Sequence, residues 1–509
     1  MPRYGAIDIG SNSLRMQVAE VLPGSAPTIL TADREVTRIG EGVFRAGVIP
    51  EKTIDFVCSV LTRMAATYQK LEIVAIRAVA TSAVRDASNQ SEFVERASEA
   101  AGTPVEIISG PEEARLIHLG VQSRWPQPKQ RVLIVDVGGG SAEIISAEHG
   151  VMVEGVSRPL GAVRLTEVFL KTDPPTSKDI HRLEQFIDEK MEPALKRMGG
   201  QHVDRAIATS ATAAAIVCAV NRIPRPRREE ADRLRATLTQ VKGFYRELCH
   251  KDLNARRKIA GVGPRRAEII TAGTAVFLRV LERFRLASLY YSAAGVRDGI
   301  IADLASRGLG EVSRLNRGQL RVVEAMSRKY GVQVKHGRKV AAIGHTLFEN
   351  LHPVHKLAPD SGRLLEAAAY LHDTGHFVSD TGHHKHSSYL VLNSDMPGFT
   401  DLERRLVGLL CRYHRKSMPS PRHEQFQSLS ADDKRTLQML APLLRIADGL
   451  DSGREQKVEE VECQLNNGAV SLVVRGEGDL DLETWAAERA GDVFRQVYNL
   501  PLTLVRAKR

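Results

Sequence analysis

The chain has 509 residues, a formal net charge of +10, a pI of about 9.4 and only 5% aromatic residues. That length calls for several domains, since single cores rarely grow beyond about 250–300 residues; no apolar run is long enough to span a membrane, and Met1-Pro-Arg-Tyr4 runs into a strand with no signal-peptide core. The basic balance favours a polyanionic partner, the scarcity of aromatics argues against base stacking and so against nucleic acid, and five scattered cysteines without a Cys-x-x-Cys pattern fit a reducing, cytoplasmic setting.

The first segment, to about residue 120, reads as three strands, a helix and onward. Gly5–Ile9 is an apolar strand, and Met16–Val21 continues its hairpin. Residues 51–70 place Ile54, Val57, Val60, Leu61 and Met64 at helical spacing. Ile73–Val79 and Val105–Ser109 read as strands, followed by a helix from about Glu112 to Gln122. Leu133–Val135 restarts the pattern. Glu143–Ala147 pairs back through a turn at His149-Gly150, and helices with strands Arg205–Ala208 and Leu289–Ser292 lead to about residue 305. This weak internal repeat belongs to the α/β class. Residues 311–453 turn helical and hold most of the histidines. Beyond them, Lys457–Leu465 and Ala469–Arg475 form a hairpin about Asn466-Asn467-Gly468, then a helix over Leu482–Val497 and a last strand Thr503–Arg506. The expected domains are 1–120, 121–305, 306–453 and 454–509.

Two strands each end in an aspartate followed by small residues: Ala6-Ile-Asp8-Ile-Gly10-Ser11-Asn12-Ser13 and Val135-Asp136-Val-Gly138-Gly139-Gly140-Ser141-Ala-Glu143. Glycines let backbone N–H groups approach phosphate oxygens, and the aspartates suit a divalent cation that neutralises them. One such loop is also a common tight turn; two, a lobe apart, suggest a duplicated fold gripping a chain of phosphates from both sides. Between them, Ser109-Gly110-Pro111-Glu112-Glu113 opens a helix. Proline and acids there are ordinary capping, and a carboxylate beside a phosphate site also serves as a general base for water. Arg85, after a strand end, is either a solvated charge or a fork for phosphoryl oxygens.

These stretches, with Ala80-Thr81-Ser82-Ala83-Val-Arg85, Leu160-Gly161-Ala-Val-Arg164, Arg266-Ala-Glu268 and Ser292-Ala-Ala-Gly295-Val-Arg297-Asp298-Gly299, resemble in order the exopolyphosphatase / guanosine pentaphosphate phosphohydrolase family of the actin–sugar kinase–Hsp70 superfamily. The resemblance implies two actin-like (ribonuclease H-like) lobes, an all-α domain, a small α+β C-terminal module and a homodimer. It implies Mg²⁺-dependent hydrolysis of terminal phosphate from inorganic polyphosphate, with the 5′ phosphate of guanosine pentaphosphate as the alternative. Carried over, Glu113 is the catalytic base, Asp136 and Glu143 hold metal or orient water, Asp8 belongs to the metal group and Arg85 binds phosphate. Ser11, Asn12, Ser13, Gly138, Gly139, Gly140 and Ser141 line the phosphates. Thr209-Ser-Ala211-Thr212 departs from the family, which carries glycine at Ala211, and this argues against ATP use.

The third segment resembles the metal-binding HD superfamily through His336, Leu371-His372-Asp373, His386, His414 and Asp448. That resemblance implies a transition metal on His336, His372, Asp373 and Asp448, with His386 and His414 adding a second. It also leaves open a polyphosphate-binding regulator with a metal sensor. Arg415 and Lys416, beside His414, are expected to meet the polyanion, whereas the pairs His383-His384 and His352/His355 are expected on the surface.

Overall fold

Apolar runs that end in Asp-x-Gly form the central strands of two sheets. A computed structural model describes residues 1–22, 27–308, 313–466 and 468–507, so Asn467 of the expected turn lies outside the described residues. The four expected segments are arranged in two compact units, Met1–Leu309 and Gly310–Arg509.

In the first unit, β1 (Arg3–Ile9), β2 (Leu14–Glu20), β3 (Thr28–Glu35), β4 (Ala75–Ala80) and β5 (Val105–Ile107) form a sheet of order β3-β2-β1-β4-β5. β1 runs antiparallel to β2 and parallel to β4. The second sheet uses β6 (Arg131–Val137), β7 (Ala142–Glu148), β8 (Val151–Arg158), β9 (Arg205–Thr209), β10 (Arg235–Thr237) and β11 (Ser288–Tyr291) in the order β10-β11-β9-β6-β7-β8. Strand β6 repeats the part of β1, antiparallel to β7 and parallel to β9. Central strands covered on both faces read as continuous apolar runs, and Val132–Val135 are buried accordingly. The duplication places Asp8 and Asp136 at the same point, one residue before their strands end.

The helix Gly110–Arg124 links β5 to β6. Ser109 caps it by accepting from the Glu112 N–H, with proline in the first turn. Helix Val296–Gly308 lies against this helix and against β1. The chain thus returns to the first sheet after building the second, so the first lobe is completed by a helix from the end of the expected 121–305 segment.

The second unit stacks helices Arg317–Lys329, Val334–Asn350, Ser361–Leu371, His383–Leu392, Asp401–Tyr413 and Ala431–Gly449. Strands β12 (Val458–Asn466), β13 (Ala469–Gly476) and β14 (Leu502–Arg506) and helix Asp481–Tyr498 follow. Val458, Leu472 and Phe494 share one core with Leu365, Leu410 and Leu444, so the C-terminal α+β segment has no core of its own. Among the described residues no helix is long and apolar enough to cross a membrane.

Candidate active site

In the first unit the two loops meet face to face. A Cβ on Gly139 would lie 2.9 Å from the Ser11 Cβ, and one on Gly140 would lie 2.6 Å from both the Phe44 ring and the Ser82 Oγ. Side chains there would push the lobes apart, so the glycines are required by close approach. Arg164 ties the junction: its Nε donates to the Gly140 carbonyl at 2.8 Å and its guanidinium covers Phe44 at 4.0 Å.

Asp8, Ser11, Asn12, Ser13, Glu113, Asp136 and Gly138–Ser141 line one crevice of about 160 Å³. Glu143 stands beside it at β7, facing Asp136 in register and accepting from Ser157 Oγ at 2.7 Å. Arg85 donates to the Ile108 carbonyl and reaches to 3.9 Å from Glu113 Oε2. The structure therefore brings together Asp8, Arg85, Glu113, Asp136 and Glu143, which the sequence scatters.

The two glutamates that open the helix have different lives. Glu112 is held by Arg77 at 2.9 Å and by Arg115 at 2.7 and 2.9 Å, and Asp303 extends this buried network. Its carboxyl is lowered despite burial, because the arginines outweigh it. Glu113 turns the other way, and its buried Oε2 has no hydrogen bond. Burial, then the neighbouring Glu143, pushes its carboxyl well above the usual range. Burial and Asp136 push Glu143 up to about 7, and burial raises Asp8 and Asp136 as well. The four carboxyls, Glu113 and Glu143 buried and Asp8 and Asp136 half-buried, are a set that could hold a cation.

Arginines surround it. A second cavity of about 450 Å³ is lined by Arg34, Arg225, Arg228, Arg265 and Arg266. Asn12, Ala211, Arg228 and Arg266 border both spaces, so the two adjoin. Burial and the nearby Arg15, Arg34 and Arg228 bring Arg266 down to about 9, and similar crowding brings Arg34 down to about 10. Among the described residues the cavity lining holds neither an aromatic ring nor a carboxylate. From the sequence the clusters 222–235 and 265–266 read as solvated charge by default, a subset of which would bind a polyanion if it lined a groove, and Arg34 had no role. Arg15 was findable, since hairpin register sets it opposite Asp8; Arg225 and Arg228 lie in the basic stretch 222–235 and needed the fold to be told from solvated charge. Ala211 lies at the junction, and it is Ser210 that adopts the left-handed backbone, at φ 84°.

In the second unit, His336, His372 and Asp373 gather with buried side chains, and Asp373 also groups with His376 and His383. Asp448 Oδ1 stands 3.2 Å from His372 Nε2, and His414 Nε2 stands 3.2 Å from His383 Nε2. Burial opposes it, but the Asp373 and Asp448 carboxylates push the His372 ring up to about 9. His386 is not brought in: it is half-buried one turn further along the helix, and His383 points into the cluster in its place. His383, His384 and His355 are buried rather than at the surface. At i, i+3 spacing His383 and His386 share a helix face, and pattern reading could not tell which of the two reaches the cluster. Arg415 lies over the His383 ring, 3.3 and 3.4 Å from its two nitrogens, and the exposed Lys416 follows at φ 58°.

A family model described as the Ppx/GppA phosphatase family matches residues 17–307, and one described as Ppx/GppA phosphatase, domain III, matches 319–483. Among solved structures, the Ppx/GppA family member from Aquifex aeolicus is 29% identical, with a TM-score of 0.54 over 61% of this chain and 99% of that one. An exopolyphosphatase-like protein is 25% identical, with a TM-score of 0.57 over 61% and 99%. An exopolyphosphatase from Cytophaga hutchinsonii, 23% identical with a TM-score of 0.56 over 60% and 98%, shares the fold. The first unit has the mixed α/β fold of these relatives.

Proposed function

The chain belongs to the Ppx/GppA phosphatase family, and from that premise we propose that it is an exopolyphosphatase, releasing terminal orthophosphate from inorganic polyphosphate. The observation that carries this reading is the arginine-lined cavity adjoining the carboxylate crevice. A polyphosphate brings negative charge at every unit, and five arginines without a carboxylate among them suit it better than they suit a neutral base.

In the proposed reaction, water attacks the terminal phosphorus. A P–O bond forms to the water oxygen, the P–O–P bridge to the next phosphate breaks, and the shortened chain leaves. Glu113 takes the proton from water: its Oε2 has no hydrogen bond, and its raised affinity for protons makes it a stronger base than a solvated carboxylate. Arg85, 3.9 Å away, keeps that carboxylate oriented and meets the charge that grows on the phosphoryl oxygens. Backbone N–H groups of Gly139–Ser141 and Ser11–Ser13 cradle those oxygens, the Gly138 N–H being held by the Ser141 carbonyl at 3.0 Å. The unsatisfied Oε2 atoms of Glu113 and Glu143 and the raised Asp8 and Asp136 fit a divalent cation. Mg²⁺ held by Asp8, Asp136 and Glu143 would supply charge neutralisation.

A guanosine pentaphosphate phosphatase is the second reading, favoured by the small apolar lining of Ala211, Ala215, Gly261 and Pro264, which leaves room for a base. Orthophosphate release from long-chain polyphosphate and from guanosine pentaphosphate, at matched Mg²⁺, separates the two. The larger kcat/KM is expected for polyphosphate, and a preference for the nucleotide would reverse the assignment.

A further inference from the structure

A third cavity of the first unit, of about 420 Å³, adjoins the crevice away from the first arginine cavity. It shares Ser141 with the crevice and no lining residue with that cavity. Four arginines line it: Arg85, Arg158, Arg164 and Arg197. The one carboxylate among its described lining residues, Asp86, is already held by Arg164. Arg197 pairs with Glu154 at 3.2 Å, and its side chain is 61% exposed, so the recess opens to solvent there. Arg158 has no such partner. Its Nε is buried without a hydrogen bond, and among the described residues its guanidinium makes no ion pair. A buried charged donor left unmet costs stability, and an anion in the recess would meet it.

Arg85 joins the two spaces. It lines the recess, and its guanidinium reaches to 3.9 Å from Oε2 of Glu113, which lines the crevice. We infer that Arg85, Arg158 and Arg164 form an exit site, which takes orthophosphate from the crevice and passes it to solvent past Arg197. Hydrolysis of a terminal phosphate leaves two anions in the protein. The shortened chain keeps its hold among the arginines of the first cavity, and the freed orthophosphate lies at the chain's far end, on the recess side. Leaving through the first cavity would require the chain to leave first; leaving through the recess lets the chain advance by one unit. The guanidinium forks suit a tetrahedral oxyanion. Gly110 and Pro111, at the start of helix Gly110–Arg124, also line the recess, so the positive end of that helix adds to the attraction. The direction of travel rests on the exopolyphosphatase reading; the anion site rests on the recess alone.

The test has two arms, both on the full chain. In the first, the protein is titrated with inorganic phosphate by calorimetry with no divalent cation added, so that the carboxyl-walled crevice repels the anion. Arg158→Ala is expected to weaken orthophosphate binding about tenfold, and Arg228→Ala, in the first cavity, to weaken it far less. Circular dichroism checks folding, and Arg158→Gln replaces the alanine variant if that fails to fold. No binding by wild type, undiminished binding by Arg158→Ala, or an equal loss in Arg228→Ala overturns the site. In the second arm, orthophosphate is added during polyphosphate hydrolysis. Binding in the recess while the chain stays bound is expected to lower kcat and leave KM, and Arg158→Ala is expected to need about tenfold more orthophosphate for the same inhibition. A rise in KM at constant kcat places orthophosphate in competition with the chain and overturns the exit path. Protein that hydrolyses no polyphosphate yet gives the expected first-arm result refutes the exopolyphosphatase reading, and the direction of travel with it, and upholds the anion site.

Discussion

Glu112 and Glu113 are neighbours of one chemical type, and burial alone does not separate them. Partners do. Glu112 is neutralised by Arg77 and Arg115, whereas Glu113 has only a distant Arg85 and stands among other carboxyls. Exchanging Glu113 for glutamine is therefore expected to lower kcat by about a hundredfold or more while KM changes little. The same variant has a stability signature. Wild-type Glu113 binds its proton more tightly folded than unfolded. In metal-free protein its contribution to stability is therefore lost as pH rises from the ordinary glutamate range through its raised folded value. Glu113→Gln removes that loss, so its melting temperature is expected to exceed wild type's at pH 8 and to approach it at pH 4. A gap that widens toward acid would show the sign to be wrong.

Among elements, the pair formed by helices Gly110–Arg124 and Val296–Gly308 matters most to the crevice, because the first carries Glu113. The two backbones touch at glycines. A Cβ on Gly299 would fall 1.8 Å from the Leu116 carbonyl oxygen, and one on Gly120 would fall 2.3 Å from that of Gly295. Backbone cannot yield as a flexible side chain can, so Gly299→Ala must separate the helices. A destabilisation of roughly 3 kcal/mol is expected from overpacking of this kind, read as a lower urea midpoint together with reduced turnover from a displaced Glu113. An unchanged midpoint would mean that the crossing is looser than the contacts indicate. Most strands were readable from apolar runs, including the hairpin after Asp136. The bounds of β3 were not: it is an edge strand with no buried residue, and alternation has nothing to record there. The three-residue β10 is too short to leave a period at all.

For the molecule as a whole, the net charge of +10 takes on meaning through its placement. Arginines of β3, of the stretch 225–228 and of 265–266 come from three separate regions and line one cavity. A polyanion held there releases counterions, so KM for long-chain polyphosphate is expected to rise about tenfold or more between roughly 50 and 500 mM salt, with kcat nearly constant. A KM indifferent to salt would remove the arginine cavity from substrate binding. The relatives with solved structures cover a share of this chain close to that of Met1–Leu309, so the histidine centre of the second unit has to be judged on its own residues.

Local order was the part of this protein that the amino-acid text carried by itself: two strand–Asp–glycine loops, the family, the helical character of residues 311–453, and most of the residues that meet in the crevice. Those features are short-range, fixed by strand period, by glycine's freedom and by capping chemistry. Which glutamate is free, which histidines face one another, and that distant arginines share a cavity were decided by tertiary structure alone. Partnership in space sets a side chain's charge and direction, and adjacent residues, such as Glu112 and Glu113, are sent to different surroundings by the turn of a helix.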